Sequence, residues 1–451
     1  MLKKCLSLIT VLFMILSVVL CTGCSAGTDT ENSGSNKNKT EIDSEEEFFL
    51  DVPSELRGTT VQVASWSNEN DFDKANIYAD FTSLTGINLE RVYVPQGEYI
   101  IKLSSLIAAE QSPDVITENG DFPRTLKVLM PIEKETTGID VTDPFWDREI
   151  VKLYTVGGKP YIISGERASA NKAGGLVYFN RTTLEENAIK TPNDYVADNN
   201  WNLDTFETLL SQMKKSCGYS RAPASVDVDI WCLMFGAKQL DWDPEASRFT
   251  STVASEEMMV SLRKLMELQD KGLVKIINGH DDSIARGESG LQICGAYGLR
   301  CSPGWFYTMD VNDLGFEILP KLSASDADYP YTVGLHGYGI VKGARNPKGA
   351  GYFLRYYLNE DHTQKENQFK NEEAIAIYDK LRANADYSTG VFYRGVRMIL
   401  DPDASNGSML SVITNGTGSQ INTNLKSVER TVDNAVAEAN KLIDEIIEAN
   451  K

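Results

Sequence analysis

Residues 59–65 read TTVQVAS and residues 87–94 read INLERVYV, two short runs rich in β-branched residues. Between them Ile77, Phe81 and Leu84 recur at helical spacing, and Gly86 supplies a C-terminal stop. Strand, helix, strand is a βαβ unit. The order then repeats, because Ile100, Leu103, Leu106 and Ile107 make one helical face and residues 113–117 read PDVIT, a buried strand after a proline stop. Alternation of this kind predicts an α/β fold with a mainly parallel sheet and helices on both faces. In such sheets ligands sit at the carboxyl ends of the strands. Those ends are Trp66-Ser67-Asn68-Glu69 and Glu118-Asn119-Gly120-Asp121.

A second α/β region starts near Gly174, where Leu176 to Phe179 reads as a strand and Thr191 to Trp201 as a polar loop. Asp204 followed by Glu207 has the form of a capping box, opening a helix that carries Phe206, Leu209, Leu210 and Met213. Ser255 with Glu256 and Glu257 opens another, bearing Met258, Leu262 and Leu265 and closed by Gly272. The C-terminus is one long amphipathic helix through Leu425, Val428, Val432, Ala435, Leu442 and Ile446, a stripe suited to packing on a lobe. At this length two core-bearing units are expected rather than one.

The 451 residues carry 64 acidic against 44 basic side chains, a net charge of −20. A nucleic-acid grip needs the opposite balance on one face, so that partner is excluded. Only three histidines are present, His280, His336 and His362, far apart in sequence and poor material for a metal site or an acid-base relay. There is no Gly-x-Ser-x-Gly elbow, phosphate-binding loop or His-Glu-x-x-His pattern. No cofactor is implied.

The first residues set the address. Lys3 and Lys4 precede an apolar run from Leu6 to Leu20, the order of a secretory signal, and Cys21-Thr22-Gly23-Cys24 follows. That tetrapeptide resembles a bacterial lipobox, which implies removal of residues 1–23 and lipid attachment at Cys24. Residues 24–55 then form a flexible tether, since Ser25 to Glu47 holds almost no apolar residue and cannot repay the entropy of folding. About 24 residues of such coil span on the order of 27 Å from a membrane surface. The protein is thus expected on the outer face of the cell membrane, held by its lipid. Cys217, Cys232, Cys294 and Cys301 remain in the folded part, without metal-ligand spacing; outside the membrane they could form two disulfides, and buried free thiols are the preferred reading.

Taken in order, SWSNENDFDKANIYADFTSLTGINLERV (65–92), IIKLSSLIAAEQSPDVIT (100–117), VGGKPYIIS (156–164), GLVYFNRTTLEENAIKTPNDY (175–195), IARGESGLQICGAYG (284–298), DLGFEILP (313–320) and GYGIVKGARNPKGAGYFLRYYL (337–358) form a pattern. Together they resemble the extracellular solute-binding proteins of bacterial ABC importers, of the sugar-binding, maltose-binding-protein-like type. The resemblance implies a two-lobed, periplasmic-binding-protein-like (type II) fold with a hinge between the lobes. It puts residues 56–165 and 334–375 in the first lobe and 166–333 and 376–451 in the second. It also implies a monomer that encloses a carbohydrate, performs no chemistry on it, and delivers it to the importer's transmembrane subunits.

Ligand contacts implied by the resemblance fall on Trp66, Asn68 and Glu69 after the first strand, and on Glu118 and Asn119 after the PDVIT strand. In the second lobe they fall on Trp231, on Tyr297 where the family usually has Trp, and on Trp305. His336 and Tyr338 follow the second hinge crossing. A pyranose offers a C–H face to an aromatic ring and a rim of hydroxyls to carboxylates and amides, so both residue types are needed. Trp146, Trp201 and Trp242 read as core. A lipid-anchored glycoside hydrolase would also join aromatics with paired acids, such as Asp227, Asp229, Asp241 and Asp243, and is the alternative, beside a protein-binding surface lipoprotein.

Overall fold

The computed structural model describes residues 51–65, 77–95, 98–118, 120–165, 174–299, 309–333, 337–359, 371–387, 410, 413–414 and 418–451. All belong to one compact unit, Phe49–Lys451.

The first sheet grows from the βαβ repeat. Strands β1 (Thr60–Ser65), β2 (Asn88–Tyr93) and β3 (Val115–Glu118) run parallel, with helices Ile77–Thr85 and Tyr99–Ala108 between them. Val61 and Val63 of β1 point to one face and pack with Phe81, Phe353 and Leu354. Gly86 ends the first helix at φ +73°, a conformation that a Cβ would strain. The fourth strand comes from far along the chain: β13 (Gly337–Ile340) pairs antiparallel with β3, giving the order β13-β3-β1-β2.

Buried Asp114 explains how this distant segment is held. Its carboxylate accepts from the Gln62 N–H at 2.8 Å and from the Asn346 N–H at 2.7 Å, joining groups 232 residues apart. Asn346 in turn caps helix Pro347–Tyr357 by accepting from the Gly349 N–H at 2.9 Å, with Pro347 in the first turn where its missing N–H costs nothing.

The second sheet has the order β10-β7-β11-β6-β12. Its strands are β6 (Gly175–Asn180), β7 (Ala224–Asp227), β10 (Val274–Ile277), β11 (Leu291–Gly295) and β12 (Leu314–Glu317). β10 and β11 run parallel to β7, whereas β6 is antiparallel to both its neighbours. Two small hairpins complete the strands, β4 (Thr155–Val156) with β5 (Lys159–Pro160), and β8 (Leu240–Asp243) with β9 (Arg248–Ser251).

Several elements differ from the sequence expectation. Thr191 to Trp201 is not all loop, because Thr191 and Asp194 form a capping box that opens helix Pro192–Ala197. The helix expected to open at Asp204 begins earlier, capped by Asn202, whose side chain accepts from the Asp204 and Thr205 N–H groups; Glu207 is engaged with Lys264 and Lys271 instead. Residues 372–375 start helix Glu372–Ala383, whose Glu373 pairs with Arg181 at 2.6 Å. The terminal helix Ile421–Ala449 buries Leu425, Val428, Val432 and Ala435 as expected, but Ile443 in place of Leu442. Asn440 on that helix imitates a neighbouring strand, accepting from Phe249 N–H at 2.9 Å and donating to Phe249 O at 3.0 Å. Cys232 and Cys294 are buried and free, whereas Cys217 is free but only half-buried; Cys301 lies outside the described residues.

The described chain runs to Gly165 beside the first sheet and enters the second sheet from Gly174, and after Val333 it rejoins the first sheet in β13. Close packing marks Gly165 and Gly174. A Cβ on Gly165 would stand 2.6 Å from Leu358 O, and one on Gly174 would overlap Thr332.

Candidate functional site

In the first sheet, β3 delivers Glu118 to the carboxyl edge. This carboxylate is buried, with its Oε2 accepting from the Gly120 N–H at 2.8 Å and the Tyr154 hydroxyl at 3.3 Å, and its Oε1 from the Phe122 N–H at 2.9 Å. Burial pushes its pKa up and the backbone donors pull it back. Glu118 therefore folds its own loop. Both of its oxygens are engaged in shaping residues 120–122. The loop carries a second buried acid, Asp121, which sequence reasoning did not single out. Tyr99, at the start of the helix that precedes β3, donates to Ala64 O at 3.2 Å, and its phenol is pushed up by burial with the charges of Asp121 and Glu118 adding to the effect.

In the second sheet, β7 ends at Asp227. Its Oδ1 caps helix Val228–Met234 by accepting from the Ile230 N–H at 2.9 Å, and its Oδ2 accepts from the Gly279 N–H, fixing the bend after β10. Beside it β11 ends at Gly295 and the chain turns through the single helical turn Ala296–Leu299. The Gly295 carbonyl accepts from Tyr178 Oη at 2.8 Å and is 3.1 Å from His280 Nε2. His280 Nδ1 is 3.1 Å from Cys294 Sγ. Burial lowers the imidazole pKa to about 4, and the same burial raises the thiol well above its ordinary value. Among the described residues no group of three or more His, Cys, Asp or Glu is arranged to hold a metal ion.

Trp231 does not reach this edge. It is 0 % exposed, its indole N–H donates to Ser261 O at 2.9 Å, and its ring packs against Phe206 and Phe235 at 6.2 and 5.5 Å. The expected stacking face is a packing face, because the first turn of helix Val228–Met234 directs the side chain inward. Tyr338, in β13 opposite Thr117, packs into the first core with its ring edge-on to Tyr357 at 5.5 Å. The backbone of Tyr297 lies in the turn after β11, and its side chain is outside the described residues, as are Trp66, Asn68, Glu69, Asn119, Trp305, His336 and Cys24. Trp146, Trp201 and Trp242 are buried, in agreement with their core reading.

Two acids and two tyrosines at one strand edge, and a neutral imidazole, an acid and a tyrosine at the other, form sites rich in fixed hydrogen-bonding groups. Among the described residues neither pairs a nucleophile with an exposed base. Among the described residues no helix is long and apolar enough to cross a membrane.

No curated protein matches the sequence. Solved structures do. The galacto-N-biose/lacto-N-biose I-binding protein of the ABC transporter from Bifidobacterium longum aligns with a TM-score of 0.61 at 12% identity, covering 86% of this chain and 98% of that one. The sugar-binding protein MalE from Xanthomonas citri gives 0.56 at 14% identity over 87% and 98%. The GacH receptor of Streptomyces glaucescens, solved unliganded and with acarbose, gives 0.52 at 16% identity over 86% and 98%. At these identities the likeness shows the two-lobed fold. The family model described as bacterial extracellular solute-binding protein matches residues 76–386, well over half of the chain, and the protein belongs to that family.

Proposed function

We propose that this protein is a lipid-anchored, extracellular binding protein that captures a carbohydrate between its two lobes and delivers it to an ABC importer without altering it. The observation that carries this is coverage. The chain spans 98% of each of three structures whose names or ligands are sugars, and matches a solute-binding family over 76–386. The strand ends add hydrogen-bonding groups suited to sugar hydroxyls, Asp121 in the first lobe and the turn at Tyr297 in the second. Trp66, Asn68, Glu69, Asn119, Tyr297, Trp305 and His336 remain the proposed contacts, with Cys24 as the point of lipid attachment. A two-chain lipid at Cys24 anchors the protein firmly, as a single chain does not.

A glycan panel screened by thermal shift tests the assignment, since a ligand that binds only the folded state raises its melting temperature. A clear upward shift with one sugar class supports it. No shift with any glycan, together with a shift for an amino acid or peptide, assigns a different solute.

A further inference from the structure

A histidine, a cysteine and a tyrosine that the sugar reading leaves unused meet beneath one short turn. The Gly295 carbonyl faces both Tyr178 Oη and His280 Nε2. A carbonyl only accepts, so the imidazole hydrogen sits on Nε2, and Nδ1 is left to accept from the Cys294 thiol. Next along the chain, the Ala296 N–H donates to Gly174 O at 2.6 Å, and the Gly175 N–H donates to Thr332 Oγ1 at 2.7 Å. The turn Ala296–Leu299 is therefore fixed on one side by His280 and on the other by the point where the chain at Gly174 meets Thr332. Nucleophilic use of the pair is excluded by geometry, because Cys294 is 0 % exposed within β11.

We propose that His280 is a positioning residue for the ligand: by holding the Gly295 carbonyl it sets the turn Ala296–Leu299, and so the groups that turn presents to the bound solute. This inference rests on the solute-binding reading of the strand ends. It does not need His280 to touch the ligand.

The test uses maltose and lacto-N-biose as probes, titrated calorimetrically into the wild type and into His280→Leu and His280→Gln. Gln keeps an N–H donor at the position of Nε2, whereas Leu fills the space without one. His280→Leu should weaken binding by about tenfold, equivalent to about 1.4 kcal/mol, and His280→Gln should stay within about threefold of the wild type. In a Tyr297→Ala background the same Leu substitution should cost less than about threefold, because both act through one turn. A His280→Leu affinity within about threefold of the wild type, or an undiminished loss in the Tyr297→Ala background, overturns the proposal. Should His280→Leu fail to fold, nitrogen NMR of the wild-type imidazole decides. The expected result is an Nε2–H tautomer whose signals shift on saturation with the bound probe; an Nδ1–H tautomer or unchanged signals contradicts it. If the wild type binds neither probe, the same variants are titrated with the sugar that gives the largest thermal shift in the glycan panel; if no glycan binds, the sugar reading itself fails and this inference falls with it.

Discussion

Gly174 lies against Thr332 so closely that a Cβ on Gly174 would overlap the Thr332 hydroxyl and carbonyl, while the adjacent Gly175 N–H donates to that hydroxyl at 2.7 Å. Two segments of chain thus touch beside the second sheet, and Thr332 is itself buried. Gly174→Ala should destabilise the fold by about 1–3 kcal/mol, the usual cost of overpacking. Thr332→Val, which leaves a buried N–H without its acceptor, should cost a similar amount. Thr332→Ser keeps the hydroxyl and should lose less than Thr332→Val, as read by urea unfolding; equal losses would show that the hydroxyl is not what holds the contact.

Trp231 is predicted to be a stability residue. Trp231→Ala removes a fully buried ring and its hydrogen bond to Ser261, at a cost of about 3–5 kcal/mol. The melting temperature of the unliganded protein should fall by several degrees, while the affinity of the protein that remains folded changes by less than about threefold. A normal melting temperature with weakened binding would return Trp231 to the ligand site.

The comparison of Trp231 with β1 shows what sequence reading resolves. Periodicity and stops placed β1, β2 and β3 and their two helices correctly, because Val61, Val63, Phe81 and Leu103 are buried by the same pattern that reveals them. Direction is another matter. Asp229-Ile230-Trp231 stands just after a strand end, where ligand contacts are expected, and only the helical turn shows the ring facing the core. Helix Pro192–Ala197 was hidden by polar composition, although its Thr191–Asp194 capping box was present to be read. His280 and Cys294 carried no local signal. Their meeting depends on β10 and β11 flanking β7, a neighbour relationship that spacing along the chain does not encode.

His280 also gives a pH signature. Burial lowers its imidazole pKa to about 4, against about 6.5 in the unfolded chain, and neighbouring Asp281 and the Gly295 carbonyl offset that only in part. The unfolded state therefore binds the proton first, so the stability His280 contributes is complete above pH 6.5 and is lost as pH falls through 4. Between neutral pH and about pH 4.5 the wild type should lose more melting temperature than His280→Gln, which does not titrate there. Parallel melting curves for the two proteins would show that the imidazole is not held neutral.

The proposed lipid anchoring makes membrane attachment depend on Cys24. The wild type should then fractionate with membranes, and Cys24→Ser should be released or left unprocessed, because acyl chains at Cys24 would have no other attachment. A processed Cys24→Ser form that stays with membranes would contradict lipid anchoring at this position.

Capture without chemistry is tested most directly by calorimetric titration of the sugar giving the largest thermal shift, followed by mass analysis of the recovered ligand. The predicted result is saturable binding of one sugar per protein chain, with the ligand returned at its original mass. Absence of binding to every glycan offered, or recovery of hydrolysed sugar that a single Asp or Glu substitution prevents, would contradict a solute-capturing role.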